Sequence, residues 1–326
     1  MSSIASNWQA AQRRRRKRLH KYKLPRSVLS GWLGDSLKTT KGYGHLLLEQ
    51  TKSPAGIAED LRPYFESAHL DAREYIHKAI RIDLHPDARK ASANATYPNC
   101  LPGITLRGLF GEVMSGVLTE HYQYVGKHKW EVPVFLFRYH TDAKDYLFKL
   151  ARDTKQTRQV IGRPGSDFLA LAFNEDGSIK RYLVGEAKWR KTLSKGVFNT
   201  LLNGSKSKKG IWHQLNVRDK NIPPGMQDLQ TLLIELGSDK YQKAILSIDE
   251  ALLVRKPKKI PRTNLILIAG VDFSARSKGQ SVVDQKVKPA EYSAKHDLQI
   301  VELFLAANGD ALIEEIYSSL WKGVRS

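Results

Sequence analysis

Ser166-Asp167-Phe168-Leu169-Ala170-Leu171-Ala172-Phe173, then Asn174 to Lys180, then Arg181-Tyr182-Leu183-Val184-Gly185-Glu186-Ala187-Lys188-Trp189: two strand-like runs stand on either side of a short acidic turn. The composition of Asp176-Gly177 predicts a two-residue hairpin turn. Centred there, the hairpin sets Asp167 directly opposite Glu186. Directly opposed residues have Cβ atoms only ~4.5–5.5 Å apart, and like charges so placed destabilise a sheet unless something holds them together. A divalent cation meets that need. Alternation puts Lys188 on the face of Glu186, so one small patch is expected to carry two hard oxygen ligands and an ammonium.

Outward from this patch, charge defines the class of partner. The chain has 326 residues, with 53 Lys and Arg against 33 Asp and Glu, a formal net charge of +20. So one-sided a balance exceeds what solubility needs and points to a polyanion, nucleic acid first and an anionic membrane surface second. No apolar run approaches the ~20 residues needed to span a bilayer, and the N-terminus lacks the apolar stretch of a secretory signal. A cytoplasmic protein is expected. The single cysteine, Cys100, forms no internal disulfide and supplies no zinc framework. The histidines are scattered, without His-Glu-x-x-His or paired ligand spacing.

Three regions are expected along the chain. Residues 1–55 are polar and basic, with Arg13, Arg14, Arg15, Arg16, Lys17 and Arg18 an unbroken cationic block; they read as a basic arm, either a solvated tail or a nucleic-acid contact. Residues 56–100 read as a helical region and linker: two amphipathic helices over 56–82, then a Pro-flanked loop from Pro86 to Pro102. Residues 101–326 read as the main domain. It opens with a helix from Ile104 to about Val125, whose apolar stripe has Glu112 at its margin, with Gly108, Gly111 and Gly116 permitting close backbone approach. Strands are expected at Val132–Tyr139, in the central pair, at Leu265–Ala269 and at Ile300–Leu305. Helices are expected at Thr192–Leu202, Met226–Leu236 and Asp310–Trp321. Interleaved strands and helices predict an α/β fold with a mixed sheet.

The tripeptide Glu-x-Lys alone means little. In this context, however, the order of helix Glu112, strand Asp167 and strand Glu186-Ala187-Lys188 resembles the PD-(D/E)xK nuclease superfamily over roughly residues 103–205. That resemblance implies a restriction-endonuclease-like core, a mixed sheet flanked by helices, and magnesium or manganese as cofactor. It implies Asp167 and Glu186 as direct metal ligands, the Ala187 carbonyl as a further oxygen, Glu112 as a ligand directly or through water, and Lys188 as catalytic base or electrostatic stabiliser. The chain departs from the family at the first dipeptide, where Ser166-Asp167 replaces Pro-Asp. The finer combination of Leu109-Phe110-Gly111-Glu112, Gly165-Ser166-Asp167 and Gly185-Glu186-Ala187-Lys188, ahead of a late strand and helix, is similar to HamA-type nucleases, the effector subunits of bacterial Hachiman antiphage systems. This second resemblance implies a DNA-cleaving defence effector acting with a helicase partner.

Beyond the motif, Lys191 and Lys195 are candidates for contact with substrate backbone. So are Lys206, Lys208 and Lys209, and the cluster of Arg255, Lys256, Lys258 and Lys259 with Arg262, because these lie in loop-like segments and add to the basic balance. Neither cluster has the aromatic interleaving that argues for single-strand specificity. DNA is the expected partner, with RNA left open. The competing expectation is a catalytically inactive nucleic-acid-binding or helicase-loading subunit of the same fold. The bland alternative for the motif itself is a surface ion pair between Glu186 and Lys188.

Overall fold

The computed structural model describes residues 19–52, 55–80, 96–122, 126–139, 147, 167–217, 223, 225–236, 239–252, 259–271 and 277–322. In chain order the elements are α1 (Arg26–Trp32), β1 (Leu33–Thr40), β2 (Tyr43–Gln50), α2 (Ile57–Ile80), α3 (Gly103–His121), β3 (Phe168–Phe173), β4 (Ile179–Arg190), α4 (Lys195–Asn203), α5 (Ile211–Val217), α6 (Met226–Glu235), α7 (Gln242–Leu252), β5 (Arg262–Val271), β6 (Asp297–Leu305) and α8 (Gly309–Ser319). The strands form a six-stranded sheet in the order β1-β2-β6-β5-β4-β3. The pairs β2–β6, β6–β5 and β5–β4 are parallel, while β1–β2 and β4–β3 at the two edges are antiparallel. The fold is α/β with a mixed sheet. Among the described residues no helix is long and apolar enough to cross a membrane.

Both faces of the sheet are covered, which explains why β5 is buried along its whole length and reads as a continuous apolar run. On the first face, α2, α3 and α8 pack over Leu183, Ala187 and Trp189 of β4, Leu265 and Leu267 of β5, and Leu303 of β6. The second face is covered in two parts. Met226, Leu229 and Leu233 of α6 and Ala244 and Ile248 of α7 pack over Leu169, Leu171 and Val184. Phe198 and Leu202 of α4 and Ile211 and Trp212 of α5 pack over Ile266, Ile268 and Ile300. Also on the second face, buried Glu302 of β6 lies 2.9 Å from His45 Nε2 and accepts the backbone N–H groups of Val282 and Val283, fixing the segment that crosses from β5 to β6.

Several expectations are corrected. Residues 33–50, assigned to a basic arm, are two sheet strands, and β2 lies inside the sheet between β1 and β6. The exposed polar β1 masks the signal, although Tyr43 to Leu48 is buried throughout. One core on the first face joins Leu24 and Leu46 to Phe65, Phe110 and Leu320, so it spans all three expected regions. Residues 1–18 of the arm, and residues 81–95 of the expected helical region and linker, lie outside the described residues. The two helices expected over 56–82 are one, α2, with Pro63 inside it. Val132–Tyr139 is not a strand: its only ladder is the Glu131–Leu171 bridge just before it, and Leu136–Tyr139 is a 3-10 turn. Pro133 within that run has no N–H to donate to a ladder.

The hairpin turn also differs, in a way that leaves the register intact. Gly177 N–H donates to the Asn174 carbonyl at 3.0 Å and Asn174 N–H to the Ser178 carbonyl at 2.9 Å, with Gly177 at φ +83°. This is a three-residue loop ending in a left-handed glycine. Ala172 pairs with Arg181 but Phe173 with Ile179, leaving Lys180 as a one-residue bulge. The longer loop and the bulge offset one another, and Phe168 pairs with Gly185 as a two-residue turn predicts. The fully buried Phe168 ring lies over Gly185, where a Cβ would overlap ring carbons. Gly185→Ala is therefore expected to destabilise the fold by about 1–3 kcal/mol through overpacking, read as a lowered denaturant midpoint. A midpoint equal to wild type would show that the ring does not lock this register.

Candidate active site

Register and alternation together bring three predicted side chains to one point. Asp167 lies immediately before β3, with its N–H donating to the Gly185 carbonyl at 3.0 Å. Its Oδ2 accepts the Ala187 N–H at 2.6 Å. Across the hairpin, Lys188 Nζ donates to Glu186 Oε1 at 2.6 Å, to the Ala187 carbonyl at 3.2 Å and to Asp167 Oδ2 at 3.4 Å. Two carboxylates and a backbone carbonyl thus converge on one cation, the Lys188 ammonium. All three partners are acceptors, and an ammonium has three donors and no acceptor. Burial pushes the Lys188 pKa down, but the charges of Asp167 and Glu186 outweigh it and hold the group well above its ordinary value. Lys188 is therefore a proton-holding cation here, which suits the stabiliser role of the two expected for it.

The cluster sits in a seam. Val184 belongs to the α6–α7 side of the second face, and Ile266 and Ile268 belong to the α4–α5 side. Glu186 and Lys188 pair in register with Ile266 and Ile268. The acidic row thus runs between the two packed groups. The side chains are graded in exposure, with Glu186 at 9%, Asp167 at 14% and Lys188 at 27%. Partial burial strengthens the electrostatics, while the opening at Lys188 leaves access for a substrate.

The donor chemistry fits a hard divalent cation. Carboxylate and carbonyl oxygens are the ligands magnesium takes, and it usually retains several waters, so one or two carboxylates from the protein suffice. Asp167, Glu186 and the Ala187 carbonyl are the atoms of this chain that can hold such an ion, in the place the Lys188 ammonium takes here.

Glu112 does not join them. Among the described residues, no three His, Cys, Asp or Glu side chains are grouped as metal ligands. Helix α3 packs on the first face, where a Cβ at Gly111 would stand 3.4 Å from the Ala187 Cβ. Alternation puts Glu186 and Lys188 on the other face. Glu112 is instead buried on the first face, near Tyr97 and near Tyr317 of α8. Burial first, and then the Glu112 charge, hold the Tyr97 hydroxyl well above its usual range; burial, Tyr97 and then Glu112 do the same at Tyr317. Of the three α3 glycines expected to permit close approach, Gly111 faces the Ala187 Cβ on the back of β4, Gly116 lies against the Phe135 ring and the Tyr64 hydroxyl, and Gly108 has open space around it.

Of the expected nucleic-acid contacts, Lys191, Lys195, Lys206, Lys208, Lys209 and Lys259 are exposed. Arg13 to Arg18, Arg255, Lys256 and Lys258 lie outside the described residues. Arg262 is removed from the set: it is the first residue of β5, buried, with Nε donating to Asn264 Oδ1 at 2.7 Å. Arg190, not among the expected residues, lies by alternation on the same face as Glu186 and Lys188. No protein-family model matches the chain, and no curated protein matches it.

Replacing Lys188 tests whether the three oxygens form a cation site. Lys188→Met leaves two opposed carboxylates without their counter-charge and is expected to cost about 1–3 kcal/mol, between the surface and buried limits for ion pairs. Millimolar magnesium should raise the melting temperature of Lys188→Met more than that of wild type, because the ion no longer competes with the ammonium. A variant as stable as wild type and indifferent to magnesium would rule out the cation site.

Proposed function

We propose that this chain is a divalent-metal-dependent nuclease that cleaves phosphodiester bonds in DNA. The observation that carries the reading is the convergence of Asp167, Glu186, the Ala187 carbonyl and Lys188 at one partly open point of the β3–β4 pair. A merely structural ion pair needs one acid and one base. Two opposed carboxylates beside a backbone carbonyl make an oxygen-donor set of the kind phosphoryl-transfer enzymes use.

In this reading Asp167 and Glu186 would hold the ion, with Asp167 oriented by the Ala187 N–H. When bound, magnesium supplies Lewis-acid charge to a phosphoryl oxygen and lowers the pKa of an attacking water. Lys188 would present its ammonium through the open side of the seam to the phosphate, where negative charge grows in the transition state. The strand pair holds these groups rigidly, so the scissile phosphate meets them already oriented. The net charge of +20 draws the polyanion to the protein.

The resemblance to HamA-type nucleases extends the proposal to a bacterial, cytoplasmic antiphage effector that acts with a helicase partner. One observation favours the second reading, an inactive nucleic-acid-binding or helicase-loading subunit: the Lys188 ammonium already satisfies the carboxylates.

Cleavage of plasmid and linear DNA separates the two readings. Glu186→Gln and Asp167→Asn are expected to lower the magnesium-dependent cleavage rate at least about 100-fold, while DNA affinity stays level or rises, because each removes a negative charge that repels phosphate. Lys188→Ala should lower the rate far more than the affinity. Wild type that binds DNA but does not cut it in magnesium or manganese would support the second reading.

A further inference from the structure

The two arginines of β4 are placed in opposite circumstances. Arg181, near the start of the strand, donates from Nη1 to Asp297 Oδ2 at 2.9 Å, to Thr263 Oγ1 at 3.0 Å and to the Arg262 carbonyl at 2.9 Å. Arg190, at the end, donates from Nη1 to the Trp189 carbonyl at 2.7 Å and meets no carboxylate among the described residues. Other cations that brace the fold are paired as Arg181 is. Arg107 is paired with Asp310, Arg138 with Asp71 and Glu235, and Lys240 with Glu131. Lys191 and Lys195, just beyond Arg190, are exposed and likewise have no acid partner among the described residues.

Position makes this cation informative. Alternation continues the row Glu186, Lys188 to Arg190 on the same face, one two-residue step of roughly 7 Å toward the C-terminal end of the strand. Arg190 is exposed. Even so, burial pushes its guanidinium below the ordinary value, with no acid to offset it. A partly desolvated cation without a counter-charge is better satisfied once an anion arrives. The guanidinium fork matches a phosphate with two parallel hydrogen bonds, which an ammonium does not. The backbone that carries it is held firmly. A Cβ at Gly270 of β5 would collide with the Arg190 carbonyl, and Leu193 N–H donates to the Val271 carbonyl at 3.1 Å. A rigid strand end positions a charged group more sharply than a loop does.

We propose that Arg190 grips the phosphate flanking the scissile one, so that the nucleic-acid backbone enters along the C-terminal end of β4, past Arg190 and onto Lys188. This rests on the nuclease reading for which phosphate is scissile; the phosphate contact itself has its own readout. Arg190 is a positioning residue for substrate, sequence-independent because it touches backbone and not base.

The test uses the full chain and a short fluorescein-labelled DNA duplex in EDTA, with affinity measured by anisotropy across a salt series. Each phosphate contact contributes about 0.9 to the slope of log K against log salt. Arg190→Ala should flatten the slope by about 0.9, so that between 50 and 200 mM salt it loses about 3.5-fold less affinity than wild type does. Arg190→Lys should keep the wild-type slope, since the charge is retained. In magnesium Arg190→Lys should cut more slowly than wild type, since the fork is lost. An unchanged slope in Arg190→Ala, at an unchanged melting temperature, overturns the proposal whether or not wild type cuts DNA. Should Arg190→Ala melt early, Arg190→Gln takes its place in the same comparison. A flattened slope without magnesium-dependent cleavage by wild type overturns the nuclease reading and with it the scissile-phosphate assignment, while supporting Arg190 as a phosphate contact.

Discussion

Two carboxylates held against one another across an antiparallel strand pair are the constraint around which this molecule is arranged. Asp167 and Glu186 are brought together by register, and like charges so placed favour separating the strands. Three interactions oppose that tendency. Lys188 bridges both carboxylates, the Ala187 N–H takes an Asp167 oxygen, and the Phe168 ring seals over Gly185. A slip of one residue would turn one acid to the opposite face and leave a charge buried without its partner. Register and charge neutralisation therefore support one another.

The sheet supplies the frame and its coverings supply the opening. Helices α2, α3 and α8 pack over the first face in one cluster that reaches from Leu24 to Leu320. The second face is closed by two clusters, one centred on α6 and α7 and one on α4 and α5. Glu186 and Lys188 lie where these meet. Charged groups are tolerated there because they pair with one another and because Lys188 keeps a route to water. Glu112 shows the contrast. It is comparably buried, but on the first face, where its charge acts on Tyr97 and Tyr317.

The excess of basic residues is not spread evenly in effect. Arginines that brace the fold have acids: Arg107 has Asp310, Arg138 has Asp71 and Glu235, and Arg181 has Asp297. Cations near the C-terminal end of β4 do not have such partners among the described residues. This end borders the candidate site, and exposed Lys206, Lys208 and Lys209 likewise show no acid partner among the described residues.

Local sequence determined the elements whose signal is contained in a few neighbouring residues. Alternation placed Glu186 and Lys188 on one face, the apolar run at Leu265 marked a buried strand, and helical spacing marked α3, α6 and α8. The hairpin register was legible too, though through a two-residue turn, where the molecule uses a three-residue loop offset by a bulge at Lys180. Strands β1 and β2 were hidden because an exposed edge strand looks polar, and because the partner that buries β2 is β6, about 250 residues away in sequence. The place of Glu112 was decided only by the fold. Helical periodicity predicts one buried stripe on α3, whereas every residue from Leu109 to Thr119 is buried, and the side of the sheet on which α3 packs depends on contacts with α2 and α8. Periodicity is a property of neighbouring residues, whereas the convergence of Asp167, Glu186 and Lys188, and the exclusion of Glu112 from it, depend on which surfaces of distant segments exclude water together.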